Sequence, residues 1–308
     1  MNRNKILLGV FGLLLIVFIW KQFFSSSESR NFREVLVELD TAQVTKINLV
    51  LKSSEKTLEL KRTGSGWDAT NGVINDEADA NVVQGMLSSL ASIKPKRLVA
   101  KSKDKWTQYE VGDSLGTKVQ AYYGDNLITE FVVGKFNFQQ TTRSMSTFVR
   151  LADEEDVYSV DGFLSSTFGQ QFSNLRDKTF LNIDIENITS VKFNYSADSS
   201  FIMIKTGETW SVNDTPADSL SVQTFLNSVQ NLTMREFDDS FNESDQLASY
   251  QVTFESNNMD AVAIRGFGQS ENLVLHSSLN ENAYFDPGGI NVFEKLFVSQ
   301  NNFFQDAD

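Results

Sequence analysis

The sequence predicts an α+β fold: an N-terminal transmembrane helix followed by two homologous antiparallel-sheet-plus-helix units. Three observations lead there. The chain begins with an apolar run between lysines. Its strand-like segments are bunched together instead of alternating strictly with helices, which favours antiparallel sheets. And one phrase is written twice, as TGSGWDATNG at 63–72 and TGETWSVNDT at 206–215.

The first element is the N-terminus. Residues 6–20 are uninterruptedly apolar and bracketed by Lys5 and Lys21. As a helix this run spans roughly 22 Å, against a hydrocarbon core of ~30 Å. A snorkelling Lys21 and buried Phe23 and Phe24 extend it, so a membrane anchor is expected over 6–24. A cleaved signal peptide has an apolar stretch of similar length, but it ends in small residues. Here Trp20, Phe23 and Phe24 fill that exit. Arg3 and Lys5 keep residues 1–5 as a cytoplasmic tail. The expected location is therefore the cytoplasmic (inner) membrane, single-pass, with the C-terminal body in the periplasm. The serine-rich SSSESR stalk follows, and Phe32, Val35, Leu36 and Leu39 at helical spacing predict a short amphipathic helix, together filling 25–43.

The first α+β unit is placed at 44–175. VTKINLVL (44–51) alternates as a strand does, and TLELKRTGSGW (57–67) supplies a second strand and a turn. In ADANVVQGMLSSLASI (78–93), Val83, Met86, Leu87 and Leu90 fall on one helical face, with Asp79 placed to cap the start. Two alternating runs about Gly124, Asp125 and Asn126 predict a hairpin over 118–134. A further strand pair and a closing helix complete the unit. The second unit, at 183–308, repeats that order. ITSVKFNY (188–195), FIMIKTGETW (201–210) and ADSLSVQTFLNSVQNL (217–232) match the segments above, with Val222, Phe225, Leu226 and Val229 as the apolar face and Asp218 as the cap. A hairpin about Asn257 and Asn258, the strand NAYFD and the helix GGINVFEKLF follow. The connector is NLRDKTFLNID (174–184). The Trp turn recurs because a whole strand–strand–helix–hairpin unit recurs.

Composition narrows the function classes. With 308 residues, 41% hydrophobic and 22% charged, the chain is long enough for two cores. A net charge of −13 argues against nucleic acid or anionic lipid headgroups as partners of the main body. There are no cysteines and a single histidine, which removes thiol chemistry and most zinc and triad chemistries.

The ordered motifs GSGWDATNG…ADANVVQGMLSSL, FVVGK, VYSV and LRDK resemble those of the bacterial family called domain of unknown function 4340, over roughly 44–300. Where the family carries glycine and proline after the Tyr109 position, this chain has YEVGDSL, making it a divergent member. The resemblance implies a single-span exported protein without assigned catalytic residues. It also implies association with a membrane protein complex, such as an ABC-type transporter linked to gliding motility.

Candidate chemistry is sparse. The acidic clusters NDEAD (75–79), DEEDVY (153–158) and DDSFNESD (238–245) lack calcium-loop spacing and read as solvated surface. His276, in the strand NLVLHSS, is expected at an exposed or edge position without a catalytic partner. Gly288 and Gly289 after Pro287 read as a turn rather than a phosphate loop. Trp67 and Trp210 read as packing residues rather than sugar-stacking ones. Asn187, Asn194, Asn213, Asn231 and Asn242 start glycosylation-type triplets that arise by chance in an Asn- and Ser-rich chain. No catalytic, cofactor-binding or metal-binding residue is assigned, and no cofactor is expected. The reading is a non-catalytic accessory or scaffold component of a membrane complex. The alternative is an exported binding module for lipid, glycan or peptide.

Overall fold

The computed structural model describes residues 33–304 except 53–56, 65, 142, 196–198, 269–272 and 288–291. The expected anchor lies outside the described residues. No described helix is long and apolar enough to cross a membrane.

The protein is mostly antiparallel sheet with a few helices. Strands β1 (Lys46–Val50), β2 (Thr57–Arg62), β3 (Trp67–Thr70) and β4 (Asn75–Glu77) form a meander running outward to one edge. Helix α1 (Ala80–Ala91) then carries the chain to β5 (Pro95–Ala100) on the far edge, and a crossover containing α2 (Trp106–Tyr109) returns it to the centre. From there β6 (Thr117–Tyr123), β7 (Asn126–Gln139), β8 (Ser144–Leu151) and β9 (Val157–Asp161) run outward to meet β5. The short helices α3 (Leu164–Phe168) and α4 (Phe172–Leu175) close the unit. The strand order is β4-β3-β2-β1-β6-β7-β8-β9-β5.

After β10 (Thr179–Asn182), the chain repeats this path. It runs through β11 (Ile188–Tyr195), β12 (Phe201–Thr206), β13 (Thr209–Val212), β14 (Thr215–Pro216) and α5 (Ser219–Val229). Next come β15 (Asn231–Thr233), which pairs with β10, and β16 (Glu236–Phe237) on the far edge. Last are β17 (Tyr250–Ser256), β18 (Val262–Phe267), β19 (Val274–Ser277), β20 (Tyr284–Asp286) and α6 (Val292–Leu296). The resulting order, β14-β13-β12-β11-β17-β18-β19-β20-β16, is that of the first sheet.

The match extends to individual atoms. Asp79 accepts from the amides of Asn81 (2.8 Å) and Val82 (3.2 Å), and Asp218 accepts from that of Ser221 (2.9 Å), so both helices are capped at their first turn. The Asp79 amide donates to the Leu175 carbonyl and the Asp218 amide to that of Phe303, each at 2.8 Å. The Trp67 and Trp210 carbonyls accept from Ala78 and Ala217 at 2.7 and 2.9 Å. Both indoles are 9% exposed. The predicted apolar faces of α1 and α5 are the buried ones. The Gly124 turn holds φ +60°, a left-handed conformation that glycine adopts without steric cost, between the paired Tyr123 and Asn126.

Two large cores result, one drawn from residues between Leu36 and Leu175, the other from residues between Phe180 and Phe303, with a smaller cluster of Val111, Val132, Phe148 and Val157 beside the first. The expected short helix after the stalk does not form across its described part. Residues 33–39 form an irregular segment with one bridge, in which Val37 pairs with Ile93 and the Leu36 amide donates to the Ile93 carbonyl at 2.8 Å. Sheet-like pairing with the end of α1 thus overrides a helical spacing of only three or four residues.

Candidate functional site

The junction between the cores is polar and centred on Arg176, which is 1% exposed. Its Nε pairs with Asp76 from β4 of the first sheet, and its Nη1 donates to Asp239, just after β16 of the second, at 2.7 Å. Its guanidinium lies 3.5 Å from the Phe237 ring centroid. The main chain adds to this: the Asp177 amide donates to the Glu77 carbonyl (2.8 Å), and Asn280 Nδ2 donates to the Asp177 carbonyl (2.9 Å). Beside the knot lies a cleft of about 390 Å³ between Asp68, Asp76 and Glu77 on one side and Asn280, Glu281 and Asn282 on the other. Burial lifts the Asp76 carboxyl above its usual range, outweighing the lowering pull of Arg176. Glu77 is raised as well, by burial and by the neighbouring Asp177 and Asp68.

A second polar network lies on the sheet face turned away from α5. Arg265 on β18 pairs with Glu243 and its Nη2 donates to His276 Nδ1 at 3.1 Å, while His276 Nε2 donates to the Glu281 carbonyl at 3.1 Å. These partners define a neutral imidazole, and burial pushes its pKa down. Tyr284 donates to Glu243 at 2.6 Å, and its own pKa is pushed up to about 12 by burial and by that carboxylate. In the first sheet the corresponding face carries Arg150, 2% exposed. Its Nε donates to the Val111 carbonyl (3.0 Å) and its Nη2 to Asp113 (2.9 Å), and it stacks on Trp106 at 3.9 Å. In each unit an arginine–carboxylate pair fastens the crossover onto the sheet, which makes both networks structural clamps.

Among the described residues, one surface has no such closure. At the end of the β7–β8 hairpin, Phe138 faces Met145 across the strands and Phe136 stacks on Phe163 at 5.3 Å. All four are exposed, Phe163 and Phe138 to 52% and 49%. The register shifts between Val133 and Phe136, a bulge that re-aims the following side chains. It needs Gly134, where a Cβ would sit 2.3 Å from the Tyr109 carbonyl oxygen. Between Glu130 and Asp153 the chain contains Lys135, Arg143 and Arg150 and no acidic residue, in a protein of net charge −13. The blade is an apolar patch flanked by the exposed Lys135 and Arg143, with Asp161, paired to Lys96, beside it; Arg150 is buried against Asp113 and adds no surface charge.

The family model described as Domain of unknown function (DUF4340) matches residues 72–253, more than half the chain and reaching into both sheets. The chain belongs to the DUF4340 family. No curated protein and no solved structure matches it.

In this DUF4340 protein the acidic clusters are not merely solvated surface. Asp76 and Asp156 are each 2% exposed, Asp79 caps α1, Glu154 pairs with Arg33, and Asp239 and Glu243 hold arginines. His276, expected at an exposed or edge position, is 5% exposed, because the crossover carrying Glu243 covers the outer face of β19. Gly288 and Gly289 lie outside the described residues. Sequence reasoning missed the Arg176 knot, although LRDK was among the motifs that marked the family. It also missed the blade, whose signal, FNF beside an acid-free stretch, was present in the sequence.

Proposed function

We propose that this DUF4340 protein is a non-catalytic accessory or scaffold component of a membrane complex, held at the membrane by its N-terminal apolar run and docked through the first unit. The two units are read as an internal duplication in which one copy retains the docking surface. The carrying observation is the exposed blade of Phe136, Phe138, Met145 and Phe163. Exposed clustered aromatics flanked by cations suit the centre of a protein interface better than free solvent. The occupant this surface suits is an apolar patch with an acidic rim on a protein subunit of the complex. Among such complexes, an ABC-type transporter is the class that kinship suggests.

The test is Phe138→Ser with Met145→Ser, which removes the cross-strand pair at exposed positions. Recovery of the membrane partner after gentle solubilisation should fall by about tenfold, as expected for loss of an interface anchor. Rising salt should lower recovery of the unaltered protein. Undiminished recovery by the double variant would remove the blade from the interface.

A further inference from the structure

The repeat provides an internal comparison, and at one place the two units differ in kind. Register fixes the equivalences. Ile47 and Leu49 face Ala121 and Val119 in the first sheet, as Val191 and Phe193 face Phe254 and Val252 in the second. Carrying the strands forward sets Leu51 against Tyr195 and Thr117 against Tyr250. Thr117 pairs with Val133 and Tyr250 with Gly266, which sets those two together. Helices α3 and α6 each have five residues and bury their first and last, Leu164 and Phe168 in one, Val292 and Leu296 in the other. Ser165 therefore corresponds to Phe293, and Gly169 to Phe297.

In the second unit these positions make a plug. Tyr195, Tyr250, Phe293 and Phe297 contact one another with ring centroids 5.0 to 6.4 Å apart. The Tyr195 hydroxyl is tied to the Val298 carbonyl at 2.8 Å. Gly266 allows the fit, since a Cβ there would come within 3.3 Å of the Phe297 ring. In the first unit the same four positions are Leu51, Thr117, Ser165 and Gly169. In place of the plug is a cavity of about 440 Å³ lined by these four residues. Its size falls within the ~300–1,000 Å³ of small-ligand pockets. Leu115, Val133 and Phe136 add apolar wall, and Lys52, Lys135 and the Glu110 carboxylate stand on its lining. Lys52 is 3.7 Å from Glu110, whereas Lys135 has no ion pair with a described residue.

We infer that this cavity, at the base of the blade, is a binding site for an amphiphile with an acyl or alkyl chain and a single anionic head, the chain lying on Leu51, Leu115, Val133 and Phe136 and the head on Lys135. A fatty acid and a singly acylated phospholipid share this chemistry. The site goes beyond docking, because the residues distinguishing the two units line the cavity and Phe138 and Met145 do not.

The test uses the full-length chain in lipid nanodiscs, irradiated with photoactivatable dodecanoate or photoactivatable dodecyl phosphate, with cross-linked peptides mapped by mass spectrometry. Saturable labelling of segments 133–136 and 165–171 is expected. It should fall at least about tenfold in Thr117→Tyr/Ser165→Phe, which puts two of the plug's four rings into the cavity, and in Lys135→Glu, an exposed position that keeps the protein folded if the ring variant does not. Labelling by the carboxylate alone assigns a free fatty acid, and by the phosphate alone a phospholipid source. An uncharged dodecanol probe that labels equally well would overturn the anionic-head assignment. Labelling unchanged in both variants, or confined to Phe138 and Met145, would overturn the site. Partner recovery by Thr117→Tyr/Ser165→Phe should stay normal, which separates this site from docking by the blade.

Discussion

Replacing Arg176 with alanine should lower stability by about 3–5 kcal/mol at neutral pH, the scale of loss when one partner of a buried ion pair is removed. Asp76, 2% exposed, would be left without its cation, and Asp239 would lose its partner across the junction. The pH dependence has a definite sign. Burial already raises the Asp76 pKa above its ordinary value of 3.8, so its protonated form favours the folded state. That contribution is fully present below 3.8 and is lost as pH rises through the folded value. Removing Arg176 takes away the lowering pull and widens this window upward. The deficit against the unaltered protein should therefore be small near the unfolded carboxylate value and grow towards neutrality. Adding Asp76→Leu to Arg176→Met should recover most of the loss, because an apolar replacement needs no compensating charge. Denaturant unfolding at several pH values checks this. A deficit independent of pH would show that the knot contributes by packing alone.

Trp67→Ala and Trp210→Ala should each destabilise by about 3–5 kcal/mol, and each in its own half of the protein. The indoles are equally buried and occupy equivalent strands, β3 and β13, but they belong to different cores. Trp67 also carries the Arg62 guanidinium 4.9 Å from its ring, and that arginine donates to the Val44 carbonyl at 2.9 Å. Its loss should loosen the entry to the first sheet as well. Hydrogen exchange should show protection lost within 44–175 for the first variant and within 183–304 for the second. Equal loss in both halves from either variant would mean that the two cores unfold as one.

What the sequence shows directly is local. The caps at Asp79 and Asp218, the apolar faces of α1 and α5 and the glycine turn at 124 each depend on residues within one or two turns of chain, and all are legible before folding. The Trp turns are legible because they occur twice. Arg176 is not, because its partners lie far away in sequence, Asp76 on β4 of the first sheet and Asp239 in the turn after β16 of the second. His276 misleads for a similar reason. Alternation with Leu273 and Leu275 gives one buried face, but all four residues of β19 are buried once the distant Glu243 segment covers the other. Residues 33–39 are irregular rather than helical because Val37 bridges to Ile93, which local spacing does not reveal. The open cavity depends on comparing two registers, so only the folded strands disclose that small residues in one unit stand where rings stand in the other.

Docking through the blade is tested most directly in cells, by placing a photo-cross-linking phenylalanine analogue at position 138 and, as a control, at position 73. Both are exposed, Phe138 to 49% and Val73 to 80%, but Val73 lies between β3 and β4, away from the hairpin. Position 138 should capture an integral membrane protein, and position 73 should not. Uncross-linked monomer at 138, or the same adduct from both positions, would contradict the account.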